Sequence, residues 1–218
     1  MPEAAALLDF YKNYNDFRAP ADVVYKNAQQ NLQHLLNTYH LPITNRILDY
    51  GAGRGLFADT CRQSGYKNSY SFDQYSDNAK FSLTFEQLVN APWDVITMWG
   101  VLEHLTDPLT ELARVLTKLR SGGLFAATTV HIEGQIPYRY KPPEHTLYFS
   151  QASIAALANR LELEILEYTP YRMIQRSDVY MSILTRTMPP EYRDKVKWDL
   201  PEYVNVPTNE IFIVLKKH

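Results

Sequence analysis

ILDYGAGRG, residues 47–55, sets a short apolar run against three glycines in five positions. The 218-residue chain has only eight glycines in all, so their concentration here is a local demand. A short strand (ILDY, 47–50), a glycine turn and a helix (GLFADTCRQSG, 55–65, stopped by Gly65) form one unit. That unit lets a ligand come close to the backbone at the carboxyl ends of parallel strands. The alternation recurs outward from it. YSF (70–72) reads as a strand ending at Asp73, a helical turn and a weak strand near 81–84 follow, and WDVITMWG (93–100) is β-branched and apolar. LTELARVLTKLRSGG (109–123) reads as an amphipathic helix with a Ser-Gly-Gly stop, and LFAATTV (124–130) as a buried strand. SQASIAALANRL (150–161) is a helix capped by Ser150, and LEILEYT (163–169) and EIFIVLKK (210–217) are strands. Residues 3–39 carry helical spacing, clearest in VVYKNAQQNLQHLLNTY, until Pro42 and Thr44-Asn45 break it. Strands alternating with amphipathic helices predict an α/β protein with a doubly wound, mostly parallel sheet. The last strand follows another without an intervening helix, so it is expected to run antiparallel.

Composition narrows the function. Hydrophobic residues make up 45% and charged residues 21%, the balance of a soluble globular protein. A formal net charge of −2 gives no general pull toward nucleic acid or an anionic membrane surface. The single cysteine, Cys61, excludes an intrachain disulfide and a multi-cysteine zinc site. MPEAAALLDFYK has Glu3 and no basic start before its apolar run, unlike a signal peptide, and no apolar run reaches membrane-span length. A cytoplasmic location is the expectation. Sixteen tyrosines are the odd feature, and many cluster, at Tyr11 and Tyr14, Tyr138 and Tyr140, and Tyr168 and Tyr171. Ordinary packing of an apolar ring with a polar tip accounts for them first, and a partly aromatic pocket second. Two long connections, 131–149 and 170–209, are rich in aromatics and proline, as functional lids often are.

The glycine spacing discriminates among ligands. A dinucleotide loop needs G-x-G-x-x-G/A, with a small third residue for close helix–strand packing. Here Gly51-Ala52-Gly53-Arg54-Gly55-Leu56 places leucine at that third position. A phosphate loop is excluded because no Gly-Lys-Ser/Thr follows. The pattern is G-x-G-x-G, with Asp49 two residues ahead of the first glycine.

This pattern resembles the first motif of class I S-adenosylmethionine-dependent methyltransferases, and the resemblance continues in order over about residues 45–169. Asp73 ends the second strand, where the family places an acid on the ribose hydroxyls. WDVITMWGVLEHLTDP resembles the fourth strand and its following segment, and SGGLFAATTV the fifth. PPEHTLYFSQASIAALANRLELEILE is similar to a downstream segment of the small-molecule subgroup that includes ubiquinone-biosynthesis O-methyltransferases. The resemblance implies a Rossmann-like sheet of seven strands with the last antiparallel. It also implies an N-terminal helical cap over 1–42, with Tyr11, Tyr14 and Arg18 toward the cofactor, and a cofactor-binding domain over 43–218. S-adenosylmethionine would be held by Asp49, Gly51, Ala52, Gly53, Asp73 and Gln74, the last near adenine, with Met98, Trp99 and Gly100 at the methionine end. LTFEQL (83–88) offers Phe85, Glu86 and Gln87 where the family often has an acid or amide, so further adenine contacts stay unassigned. The physics agrees. Glycines let the ligand lie against the backbone, and one carboxylate accepts from two vicinal hydroxyls.

Methyl transfer from a sulfonium is an in-line displacement, to which positioning contributes much of the rate. A hydroxyl acceptor gains from a base, and the candidates are His104, His131 and His145. Hydrogen-bonded structural histidines are the competing reading for all three. Some relatives use a divalent metal, but Glu103 and His104 alone do not define a site, and the sequence offers no clear third ligand. No metal is assigned. Base methylation of nucleic acid calls for Asp/Asn-Pro-Pro-Tyr/Phe after the fourth strand, where this chain has MWGVLEH. Pro142-Pro143 lies elsewhere, and no basic stripe is present. The expected function is methylation, O-methylation foremost, of a small-molecule acceptor. The alternatives are a protein methyltransferase and a cofactor-binding relative without turnover that serves as an interaction module. A dehydrogenase ranks last.

Overall fold

The structure, a computed structural model, describes residues 19–75, 80–90, 92–134, 145–186, 188–193 and 198–218. Tyr11, Tyr14, Arg18, Tyr138, Tyr140 and the Pro142-Pro143 pair lie outside the described residues. The described chain runs α1 (Ala21–Tyr39), β1 (Ile47–Tyr50), α2 (Leu56–Gln63), β2 (Ser69–Phe72), α3 (Phe85–Val89), β3 (Trp93–Trp99) and α4 (Pro108–Leu116). It continues as β4 (Leu119–Val130), α5 (Gln151–Arg160), β5 (Leu163–Arg176), α6 (Ser177–Thr185), α7 (Pro190–Arg193) and β6 (Tyr203–Lys217). The strands form one sheet in the order β2-β1-β3-β4-β6-β5. The β1–β2, β1–β3 and β3–β4 pairs are parallel, and β6 runs antiparallel to both β4 and β5. The last strand is antiparallel, as the missing crossover helix requires.

Side-chain alternation assigns the two faces. Ile47, Val95, Ala126, Phe212 and Val214 meet Ala28, Leu32 and Leu35 of α1 and Phe57 and Cys61 of α2. Leu48, Ile96, Met98, Phe125 and Ile213 meet Leu88 of α3, Leu112 and Val115 of α4, and Ile154 and Leu157 of α5. A sheet covered on both faces needs continuous apolar strands, which is why ILDY, DVITMW and IFIVL scarcely alternate.

Three elements differ from the sequence reading. Six strands form the sheet among the described residues, not seven. At the place of the weak strand, Ser82 makes a single parallel bridge to Ser71, and two residues later Thr84 caps α3 through a capping box with Gln87. The helix expected to reach residue 123 ends at Leu116. Its Ser-Gly-Gly segment instead lies within β4, where pairing jumps from Trp93–Leu119 to Val95–Leu124 and Arg120 loops out to Asp94, 2.7 Å away. The 170–209 connection begins and ends in strand, with α6 and α7 between. β5 and β6 extend it into a long antiparallel ribbon from Leu163–Lys217 to Arg176–Tyr203. Pro170 and Pro207 mask those strands in the sequence; Pro170 is tolerated because β5 is the sheet edge, and pairing shifts register just after it.

α1 is tied to this ribbon by polar contacts as well as by its apolar face. Asn27 bonds the backbone of Ile174 through both its carbonyl and its amide. His34 and Tyr39 share the Glu167 carboxylate at 2.8 and 2.9 Å. No helix among the described residues is long and apolar enough to cross a membrane.

Candidate active site

β1 lies between β2 and β3, so the chain reverses its direction of progress across the sheet there. The crevice at the carboxyl ends of such strands is where α/β sheets bind ligands. Four segments converge on it: the glycine loop after β1, Asp73 after β2, Gly100–His104 after β3, and His131 after β4. The glycine loop is anchored to the end of β2. The amides of Gly51 and Ala52 donate to the Phe72 carbonyl at 2.8 and 3.1 Å, and the Gly53 amide donates to Asp73 Oδ2 at 2.8 Å. Asp73 Oδ1 accepts from the Tyr75 amide at 2.8 Å, so the carboxylate is oriented by backbone on both oxygens. Gln74 beside it is exposed.

Two glycines have different reasons to be glycine. Gly51 has φ +74°, and a Cβ there would stand 2.5 Å from Cγ2 of Val101. Gly53 has φ +50°, but a Cβ there would meet nothing within 4 Å. The first is closed by protein and the second faces open space. Gly51→Ala is therefore expected to destabilise the fold by about 2–3 kcal/mol, from left-handed strain of about 1–2 kcal/mol plus the clash. Urea unfolding should show the double variant Gly51→Ala/Val101→Ala recovering part of the loss. Full recovery would mean that backbone strain contributes nothing.

Asp49 is the unusual charge. It is 3% exposed on the face that carries α1 and α2, and its Oδ1 accepts from Thr97 Oγ1 at 2.8 Å. Burial pushes its carboxyl up to about 7; the Thr97 hydroxyl opposes that shift, and the negative charge of Asp73 adds to it. On α2, the buried Cys61 thiol is pushed up in turn, by burial first and by Asp49 second.

At the end of β3 the expected contacts separate by face. The Met98 side chain is fully enclosed in the core beneath α3, α4 and α5. Trp99 lies on the Asp49 face, edge-on to Phe57 at 5.1 Å and stacked on Phe212 at 5.6 Å. Its buried indole N–H has no hydrogen-bond partner among the described residues. Gly100, at φ +64°, donates from its amide to Thr128.

His104 and His145 meet. A 3-10 turn, Leu102–His104, follows β3, and the backbone carbonyl of Glu103 accepts from the amides of Thr146 and Leu147 at 2.8 and 3.2 Å. Thr146 Oγ1 adds a bond to the same carbonyl. This stitching lays the buried His145 ring against His104, centroids 4.9 Å apart and nearly perpendicular. The Glu103 carboxylate, also buried, completes the group: one ligand-type atom from each of Glu103, His104 and His145 lies within 4.8 Å of the others. The third potential ligand that the sequence did not reveal is thus His145. His131 sits in another neighbourhood, its ring 5.8 Å from Tyr168 and its Nε2 3.4 Å from Glu133. Thr129, which sequence reasoning passed over, donates its hydroxyl to Glu103 Oε2 at 2.8 Å. A threonine in a buried apolar strand gives no sequence sign of such a partner.

The profile of the methyltransferase domain family matches residues 20–168. No curated protein matches the sequence. Among solved structures, the chain is similar to one in the complex between the Haloferax volcanii Trm112 methyltransferase activator and a methyltransferase. Identity there is 14%, coverage is 97% of this chain and 98% of that one, and the TM-score is 0.65. Magnesium protoporphyrin IX methyltransferase from Synechocystis PCC 6803, solved with S-adenosylhomocysteine, gives 11% identity, 99% and 100% coverage and a TM-score of 0.60. An S-adenosylmethionine-dependent methyltransferase from Clostridium acetobutylicum gives 12%, 98% and 98%, and 0.58. At these identities the likeness is one of fold, whereas the family match spans most of the chain and takes in the glycine loop, Asp73 and the β3 edge. The chain belongs to the methyltransferase domain family, and S-adenosylmethionine is its methyl donor.

Proposed function

We propose that this methyltransferase acts on a hydroxyl oxygen of a small-molecule acceptor, as in the subgroup that contains the ubiquinone-biosynthesis O-methyltransferases. The observation that carries the reading is the histidine pair, His104 and His145, at the carboxyl edge, one short turn past the residue that packs on Gly51. A hydroxyl must lose its proton to become a good nucleophile, and a paired imidazole site at this edge is suited to that task.

Three features of the chain suit the donor. Open space adjoins Gly53, the indole N–H of Trp99 lacks a partner among the described residues, and Asp49 holds a buried carboxyl ready to ionise against a cation. The donor supplies an electrophilic methyl group on a positively charged sulfur. Asp73 accepts its ribose hydroxyls on the lone pairs that Gly53 and Tyr75 leave over. Asp49 lies under the glycine loop and favours the cationic amino-acid end, with Gly51, Ala52 and Gly53 giving close backbone approach. Gln74 borders adenine, and Trp99 and Gly100, with Met98 behind them, close the methionine end. Residues 1–42 act as a cap. In support, the Arg54 guanidinium of the glycine loop donates to the carbonyl of Ala19, two residues ahead of α1.

Methyl-labelled S-adenosylmethionine offered with a panel of phenols, aliphatic alcohols, amines and thiols tests the reading. Label is expected on oxygen acceptors. Label found only in added protein, or donor binding without transfer to any class, would replace this reading with a protein methyltransferase or a silent binding module.

A further inference from the structure

We propose that Glu103, His104 and His145 bind a divalent transition-metal ion, which activates the acceptor oxygen. The ion's role rests on the O-methylation reading; the ion site itself does not. Two imidazoles and one carboxylate form a three-ligand set that suits zinc, iron(II) and related ions and leaves coordination positions for a further oxygen. Ligands at about 2.0–2.2 Å from an ion lie roughly 3.4 Å apart in a tetrahedral arrangement, so side-chain rotations alone can close the observed 4.8 Å.

The surroundings are those of a held site. The Thr129 hydroxyl orients the Glu103 carboxylate at 2.8 Å, the outer partner that metal-bound carboxylates characteristically have. Backbone bonds from Thr146 and Leu147 to Glu103 fix His145 against the β3 edge, so three ligands from two distant segments are set by main chain. Glu103 and His145 are both under a tenth exposed, and a buried carboxylate beside two imidazoles gains most from a cation shared among them. The acceptor class follows. A substrate that places a hydroxyl on the ion loses its proton to solvent more readily, because a dication lowers the pKa of a bound oxygen acid. Neighbouring oxygens, as in a vicinal diol or a phenol flanked by a second oxygen, would occupy two positions at once.

Cobalt(II), whose visible absorption reports protein ligands, is titrated into chelator-treated protein, with S-adenosylhomocysteine binding measured on the same samples by calorimetry. Wild type is expected to bind one equivalent with a saturable visible spectrum. Glu103→Gln and His145→Asn are expected to weaken that binding at least tenfold, and Thr129→Val several-fold, while S-adenosylhomocysteine affinity stays within about threefold. His40→Asn, at an exposed left-handed helix end that asparagine tolerates, should bind cobalt as wild type does. No saturable spectrum in wild type, or equal cobalt binding by His145→Asn and His40→Asn, would overturn the site. Cobalt binding without S-adenosylhomocysteine binding would keep the ion and overturn the O-methylation reading on which its role rests. Preserved S-adenosylhomocysteine binding in the variants shows that they are folded.

Discussion

Asp49→Asn is expected to make the ligand-free protein more heat-stable at pH 8 while weakening its grip on S-adenosylmethionine. The wild-type carboxyl is buried and pushed from 3.8 to about 7, with Asp73 facing it from the end of β2, Cys61 from α2 and the Thr97 hydroxyl from β3. A raised carboxyl contributes stability that is fully present below pH 3.8 and lost as pH rises through 7. Above that, ionisation costs the fold at most roughly 4 kcal/mol, at about 1.4 kcal/mol per pH unit. Asparagine removes this cost and introduces an amide N–H₂ that needs partners, offsetting about 1–2 kcal/mol. The net gain at pH 8 is about 2 kcal/mol, or roughly 4–8 °C in Tm for a chain of this size. At pH 4 both side chains are neutral, and the variant should be no more stable than wild type. Donor affinity moves the other way. An ionised carboxylate attracts the cationic donor, so wild-type affinity should rise from pH 6 to pH 8, and Asp49→Asn should lose about tenfold to a hundredfold at pH 8 with a flatter pH profile. A variant less stable than wild type at every pH from 5 to 8 would show that Asp49 serves packing alone.

That tension between stability and binding was half visible in the sequence. Asp49 ahead of Gly51 and Asp73 one strand later were legible because strand, turn and helix are local patterns, and the chemistry sits at fixed offsets from them. The antiparallel final strand followed from a missing crossover helix. The seventh strand was not secured, because a single residue separates Ser82 from the capping box at Thr84, and a pairing so short depends on its neighbour and not on its own pattern. Proline hid the β5–β6 ribbon. The Met98 side chain looked available because it lies near a strand end, but period-two alternation sends it to the far face from Asp49 and Trp99. The union of Glu103 with His145 was beyond any local pattern. It depends on backbone bonds from Thr146 and Leu147, forty-odd residues along the chain, and on a threonine hydroxyl in β4.

Asp73→Ala should produce the largest loss of donor affinity among single variants, about a hundredfold or more by calorimetry with S-adenosylhomocysteine. Two separate effects add. On the proposed reading the carboxylate's free lone pairs accept two ribose hydroxyls, and hydrogen bonds to a charged group each contribute about 1.5–3 kcal/mol. The same carboxylate holds the Gly53 amide at 2.8 Å, so its removal also releases the loop that must lie flat against the ligand. Asp73→Asn separates the two. Its single carbonyl oxygen can keep the Gly53 bond while its amide can accept neither the Tyr75 N–H nor a ribose hydroxyl, so it should lose about tenfold and lower the urea midpoint only by the loss of the Tyr75 bond. Asp73→Ala should lower that midpoint as well, since the Gly53 and Tyr75 amides would give up their carboxylate partner together. If both variants bound S-adenosylhomocysteine as wild type does, Asp73 would be a loop anchor only, and the ribose would have to be held from elsewhere in the crevice.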